Sequence, residues 1–186
     1  MAIVTEEQNW TFSLREVARR AGVSHNAPFN HFPEKRHLLD AVAATGFDAL
    51  TEHMRVTAEE VKGASRELAA IMQAYTAFAL GNPARYRLMF GSELLPDSGF
   101  QPTLTEVAGA GAKAVLRDVV VRGAASGDFA VDEEDPDQVA GAVLSVWSAV
   151  HGLALLLMDA KIVSPGAPQG QVDTVSEVLL AGLRTR

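Results

Sequence analysis

A chain of 186 residues with 48% apolar and 21% charged side chains has ample material for a packed core and no compositional case for disorder. Its length suits one large domain or two small ones, and the absence of cysteine excludes disulfides, thiolate metal sites and cysteine nucleophiles together. The opening MAIVTEEQNW has no basic n-region and no apolar stretch of signal-peptide length, and no later run approaches the ~18 apolar residues of a membrane span. The expectation is a soluble, cytoplasmic protein with no membrane partner.

A net charge of −7 argues, taken whole, against a nucleic-acid binder. The charge is unevenly spread. Between Ser13 and His37 stand Arg15, Arg19, Arg20, Lys35 and Arg36 against Glu16 and Glu34, with His25, His31 and His37 besides. A basic patch on an acidic chain fits a DNA-reading module joined to something else.

In chain order, Leu14, Val17, Ala18 and Ala21 recur at helical spacing behind Ser13, an N-cap with Glu16 placed to complete a capping box. Gly22 ends that helix, and Ser24 is placed to cap a short one reaching about Asn30. Pro33 opens a longer helix with Leu38, Leu39, Val42, Phe47 and Leu50 on its apolar face, running toward Val61. Further helices are expected near Ala64 to Leu80, Pro83 to Leu95, Leu104 to Ala125, Pro136 to Met158 and Val172 to Leu183, separated by clusters of Gly, Pro, Asn, Asp and Ser. The β-branched run Val119 to Val121 reads as buried helix. The fold class is therefore all-α: a three-helix helix-turn-helix domain at 1–57, then a larger helical ligand-binding and dimerisation domain at 58–186.

Two short helices about a glycine turn, small Ala18 at their crossing, Val23 as an apolar plug and a hydroxyl cap at Ser24 meet the mechanical needs of a helix-turn-helix. The stretch SLREVARRAGVSHNAPFNHFPEKRHLL resembles the DNA-binding motif of the TetR family on Ser13, Leu14, Val17, Ala18, Ala21, Gly22, Val23 and Ser24, then Phe29, His31, Phe32 and Lys35. The resemblance implies that Lys35 and His31 hold phosphates, with Arg36 beside them, that Ser24 caps the recognition helix, and that His25, Asn26 and Asn30 read bases. Phe29, also implied at the DNA face, stands where that motif usually has Tyr, which removes a phosphate-reaching hydroxyl. Ile3 and Val4 look like the last turns of a first helix whose beginning is missing, either because the start codon was placed late or because that helix is short.

Farther on, Asn82 to Leu95 and Val146 to Asp159 resemble a regulatory domain of part of that family named for a Trp-His-Gly signature, here Trp147, His151 and Gly152, with Gly152 allowing a neighbouring helix close. The resemblance implies a two-fold homodimer through the last two long helices, with Val143, Val150, Leu153, Leu157, Val175, Leu179 and Leu183 in the interface. It also implies a pocket for a small apolar or aromatic effector, walled by Met72, Tyr75, Phe78, Tyr86, Met89, Phe90, Trp147 and His151. Operator DNA would be the other partner, with no cofactor and no metal. The expected function is a ligand-responsive repressor; the rival is a ligand-binding or interaction dimer with a weakened DNA head. An enzyme is disfavoured because no Gly-rich phosphate loop, H-E-x-x-H or G-x-S-x-G stands in the sequence.

Overall fold

The computed structural model describes residues 10–91, 102–161 and 168–184. Every regular element among them is helical: α1 (Leu14–Ala21), a 3-10 turn (Ala27–Asn30), α2 (Lys35–Glu59), α3 (Ala64–Gly81), α4 (Pro83–Met89), α5 (Leu104–Ala125), α6 (Pro136–Met158) and α7 (Pro168–Leu183). The expected helix from Pro83 closes at Met89 with Phe90 as its cap, and α7 begins earlier than expected, at Pro168. The reading of Ile3 and Val4 and the turn at 96–99 lie outside the described residues.

Local chemistry sets these limits. Ser13 Oγ accepts from Glu16 N at 3.2 Å to open α1. Gly22, at φ +69°, closes it, with Val23 N donating to Ala18 O and Gly22 N to Arg19 O, the paired bonds of a Schellman end that only a residue tolerant of left-handed backbone completes cheaply. Thr103 and Glu106 form a reciprocal capping box at the start of α5. Asp135 receives Asp137 N and Gln138 N before Pro136 opens α6.

The chain forms two compact units, each discontinuous: residues 1–47 with 82–109, and residues 48–81 with 110–186. The first is cored by Leu14 and Ala18 of α1, Leu39, Ala43 and Phe47 of α2, and Tyr86, Leu88 and Met89 of α4, all buried. Phe90 lies between the Phe47 and Tyr86 rings at 5.1 and 4.9 Å. In the same unit Asp40 receives Leu104 N and Thr105 N on its two carboxylate oxygens, each at 3.0 Å.

In the second unit α3, α6 and α7 pack on one another. Leu68, Ile71, Met72 and Tyr75 of α3 are sealed, as are Val146 and Val150 of α6 and Val172 of α7. Val119 and Val120 are fully buried in α5, where the β-branched run was expected. Behind them Phe129 folds onto Gly123, so close that a Cβ there would stand 2.1 Å from the ring.

Helix α6 is long and apolar enough by length and composition to cross a membrane, against the expectation that no stretch would approach this. Only 33% of its most apolar stretch is buried; the rest is half-buried or, as at Leu144 and Leu156, exposed.

Candidate nucleic-acid interface and effector site

The expected recognition helix is a correction. Ser24 caps no α-helix; its carbonyl accepts from Ala27 N at 3.0 Å, and Asn26 O accepts from Phe29 N at 3.1 Å, bonds of three-residue span that make the 3-10 turn Ala27–Asn30. Pro28 is the cause. In a helix capped by Ser24 the residue four places on supplies the first intrahelical donor, and proline has none. One place into a 3-10 turn the missing N–H costs nothing.

Around this turn Ser24, His25, Asn26, Asn30, His31 and Arg36 are all exposed, so six of the expected DNA-facing residues share one accessible stretch. Phe29, also expected at the DNA face, is 44% exposed; Val23 is 50% exposed and so is not the plug expected of it. Lys35 is held inward, its Nζ donating to Trp10 O at 2.5 Å and lying 5.5 Å from the Phe12 ring centroid. Arg36 pairs with Glu34 at 3.1 Å.

The capping box at Glu16 is half made. Ser13 takes its bond, but the Glu16 carboxylate turns away to accept from Arg19 Nε at 2.8 Å, Arg19 Nη2 at 2.5 Å and Arg20 Nε at 2.8 Å. Those bonds, Arg19's first and then Arg20's, hold the Glu16 carboxyl at about 2. Two of the five basic residues in the patch are thereby paired. Glu16→Gln is expected to release both guanidinium groups, raising affinity for random DNA and steepening the log-affinity against log-salt slope by about 1 to 2; fluorescence anisotropy across a salt series checks it.

The residues expected to wall one sensor pocket divide between the compact units. Tyr86, Met89 and Phe90 belong to the first; Met72, Tyr75, Phe78, Trp147 and His151 belong to the second. In the latter, the Tyr75 hydroxyl lies 3.2 Å from His151 Nδ1, and its ring meets Trp147 edge-on at 5.8 Å. Burial pushes the His151 imidazole below its ordinary value. The unfolded chain then takes up a proton before the folded one, so this contribution to stability is complete above about pH 6.5 and is lost as pH falls. His151→Gln is expected to flatten thermal melts between about pH 7 and 5, a comparison that parent and variant melts make directly.

One cavity of the second unit lies between α5 and α6, with a volume of about 560 Å³, and is lined by Lys113, Arg117, Val139, Leu144 and Trp147 among others. Of the expected pocket residues Trp147 is the one that lines it; Val143, expected in the dimer face, lines it too. Sequence reading missed Lys113 and Arg117 altogether.

The residues expected in the dimer face differ in their exposure within the single chain. Val150 and Leu153 are buried within the chain, while Val143, Leu157, Val175, Leu179 and Leu183 are half-buried. The outward apolar side chains are instead Leu144 at 64% exposure, Leu156 at 46% and Val178 at 69%. Gly152 faces open space, since a Cβ there meets nothing within 4 Å, and so seats no neighbouring helix of its own chain.

Residues 68–183 match the family described as "Tetracyclin repressor-like, C-terminal domain", and residues 6–42 match "Bacterial regulatory proteins, tetR family". The chain belongs to the TetR family. The C-terminal description bears no Trp-His-Gly designation, so the family stands without that subdivision. An HTH-type transcriptional regulator of Mycobacterium tuberculosis is 27% identical over 126 residues, 66% of this chain and 53% of that one; the chain thus spans about half the length of this curated relative. A solved protein of unknown function from Rhodococcus sp. RHA1 is similar at 30% identity and TM-score 0.78, covering 94% of this chain and 86% of that one. FadR of Bacillus subtilis, solved with stearoyl-CoA, shares the fold at 17% identity and TM-score 0.74, over 98% and 95% of the two chains. TetR membership puts the chain among bacterial regulatory proteins, a family of regulators and not of enzymes.

Proposed function

We propose that the protein is a cytoplasmic, ligand-responsive, homodimeric repressor, whose residues 1–57 grip operator DNA while residues 58–186 dimerise and bind the effector. The observation that carries this reading is the exposed stretch Ser24, His25, Asn26, Asn30, His31 and Arg36 directly after the Schellman turn at Gly22. Polar donors and acceptors suited to base edges and phosphates stand there together. Two copies would meet through α6 and α7, where the outward Leu156 and Val178 offer apolar side chains to a partner. Helix α2, continuous from Lys35 to Glu59, joins the head to the rest and is the lever by which an effector shifts the population between DNA-binding and released dimers.

A second reading, a dimer with a weakened head, is favoured by Pro28, which denies the reading segment an α-helix, and by the inward engagement of Lys35. One titration separates them. Fluorescence anisotropy on DNA from the protein's own upstream region against scrambled DNA is expected to show tighter binding to the former, falling steeply with salt; equal, weak binding to both supports the weakened head. Leu156→Glu with Val178→Glu is expected to convert dimer to monomer in sedimentation velocity, and a persisting dimer would place the interface elsewhere.

A further inference from the structure

The cavity between α5 and α6 has a chemical bias that the effector reading above does not contain. Its lining is apolar along Val139, Leu144 and Trp147, and its two charged lining residues, Lys113 and Arg117, are both cations in a chain whose net charge is −7. Lys113 Nζ sits 5.5 Å from the Trp147 ring centroid, which holds the ammonium at the apolar wall. Arg117 pairs with Asp118 at 3.9 Å, with both side chains largely exposed; a pair so loose and wet is worth little and leaves the guanidinium able to meet an anion. Lysine 113 and Arg117 are four residues apart on α5, hence on one face one turn apart.

From this we infer that the groove binds a soluble amphiphilic carboxylate, with its aliphatic chain along Val139, Leu144 and Trp147 and its carboxylate between Lys113 and Arg117. Charge complementarity selects that occupant. A neutral apolar molecule would leave both cations unused, and a second copy of this acidic chain would need to place apolar surface and an anion there together. The volume of about 560 Å³ lies within the range of small-molecule sites. Trp147 also touches Tyr75, and Tyr75 meets His151, so a ligand against the indole presses on a buried contact of the second unit. As a binding site the groove stands alone; as the effector site it rests on the ligand-responsive reading above.

Isothermal titration calorimetry of the full chain with decanoate, decanol and decyltrimethylammonium, each below its micelle concentration, tests this. Decanoate is expected to bind tightest and the cation not at all. Lys113→Met with Arg117→Met should weaken decanoate by about tenfold or more while sparing decanol, and Ala114→Phe, which fills the groove from an exposed position between the cations, should abolish both. Failure of decanoate to bind, or affinity unchanged in the double variant, overturns the proposal. So does a shift from dimer to monomer caused by Ala114→Phe, which would make the groove an interface between copies. Co-sedimentation with phosphatidylglycerol vesicles in place of decanoate binding would overturn it in favour of a membrane surface. Decanoate bound in the groove without effect on operator affinity leaves the site standing and removes its effector role. Operator release by decanoate that survives both sets of substitutions keeps the effector reading and sinks the site.

Discussion

Gly123→Ala is expected to destabilise the protein by about 1–3 kcal/mol, the cost of overpacking a filled core. A Cβ at Gly123 would stand 2.1 and 2.2 Å from two atoms of the Phe129 ring, and Phe129 is buried with its own N–H bonded to the Gly123 carbonyl at 3.0 Å. The ring therefore cannot retreat without opening the turn after α5, where Ala130 N also reaches Leu183 O of α7. Helix propensity acts in the opposite sense, since alanine is better than glycine inside a helix by about 1 kcal/mol, so the net loss measures the steric term after that gain. Phe129→Ala bounds the effect from above at about 3–5 kcal/mol. In thermal and urea melts, Gly123→Ala with Phe129→Leu should recover part of the loss of the single variant. Gly141→Ala is the control: its Cβ meets nothing within 4 Å, so it should gain stability. A loss at Gly141 would mean that a second copy lies against that face of α6, and an unchanged melt at Gly123 would mean that the Phe129 ring is not packed there.

How far the sequence disclosed this molecule depended on whether the deciding interaction was local. Ser13, Gly22, Pro83 and Pro136 placed helix ends correctly because caps, left-handed turns and proline at a first helical position act within a few residues. Pro28 was equally legible yet was overridden by the match of surrounding positions to a helix-turn-helix frame. Glu16 could be assigned either to a capping box or to Arg19 and Arg20, three and four residues on; the guanidinium pairs took it because charge-assisted bonds outrank a bond to one backbone amide. Asp40 capping α5 from 64 residues away leaves no trace in the order of letters. The faces of α6 were ambiguous for another reason. A helix apolar around most of its girth has no single stripe, so Val150 and Leu153 could not be told as inward from Leu156 as outward. Lys113 and Arg117 carry no motif in the sequence, and only the placement of α5 beside α6 brings them to one groove.

Replacing Pro28 by alanine bears most directly on function. Proline inside a helix costs about 3 kcal/mol, and the free chain escapes that cost by adopting the 3-10 turn Ala27–Asn30. If His25, Asn26 and Asn30 read bases from an α-helix lying in the major groove, the segment must become helical on DNA and the proline penalty falls on binding. Pro28→Ala is then expected to add helix to the circular dichroism spectrum and to raise operator affinity by up to about a hundredfold. It should also widen the difference between operator and scrambled DNA, because the gain comes from residues that touch bases and not from phosphate contacts. Pairing it with Asn30→Ala tells these apart: if Asn30 reads a base, the second substitution should cost more in the Pro28→Ala background than in the parent. An affinity unchanged by Pro28→Ala would mean that the reading segment needs no α-helix on DNA or never meets it, and with equal binding to scrambled DNA it would favour the dimer whose head no longer reads sequence.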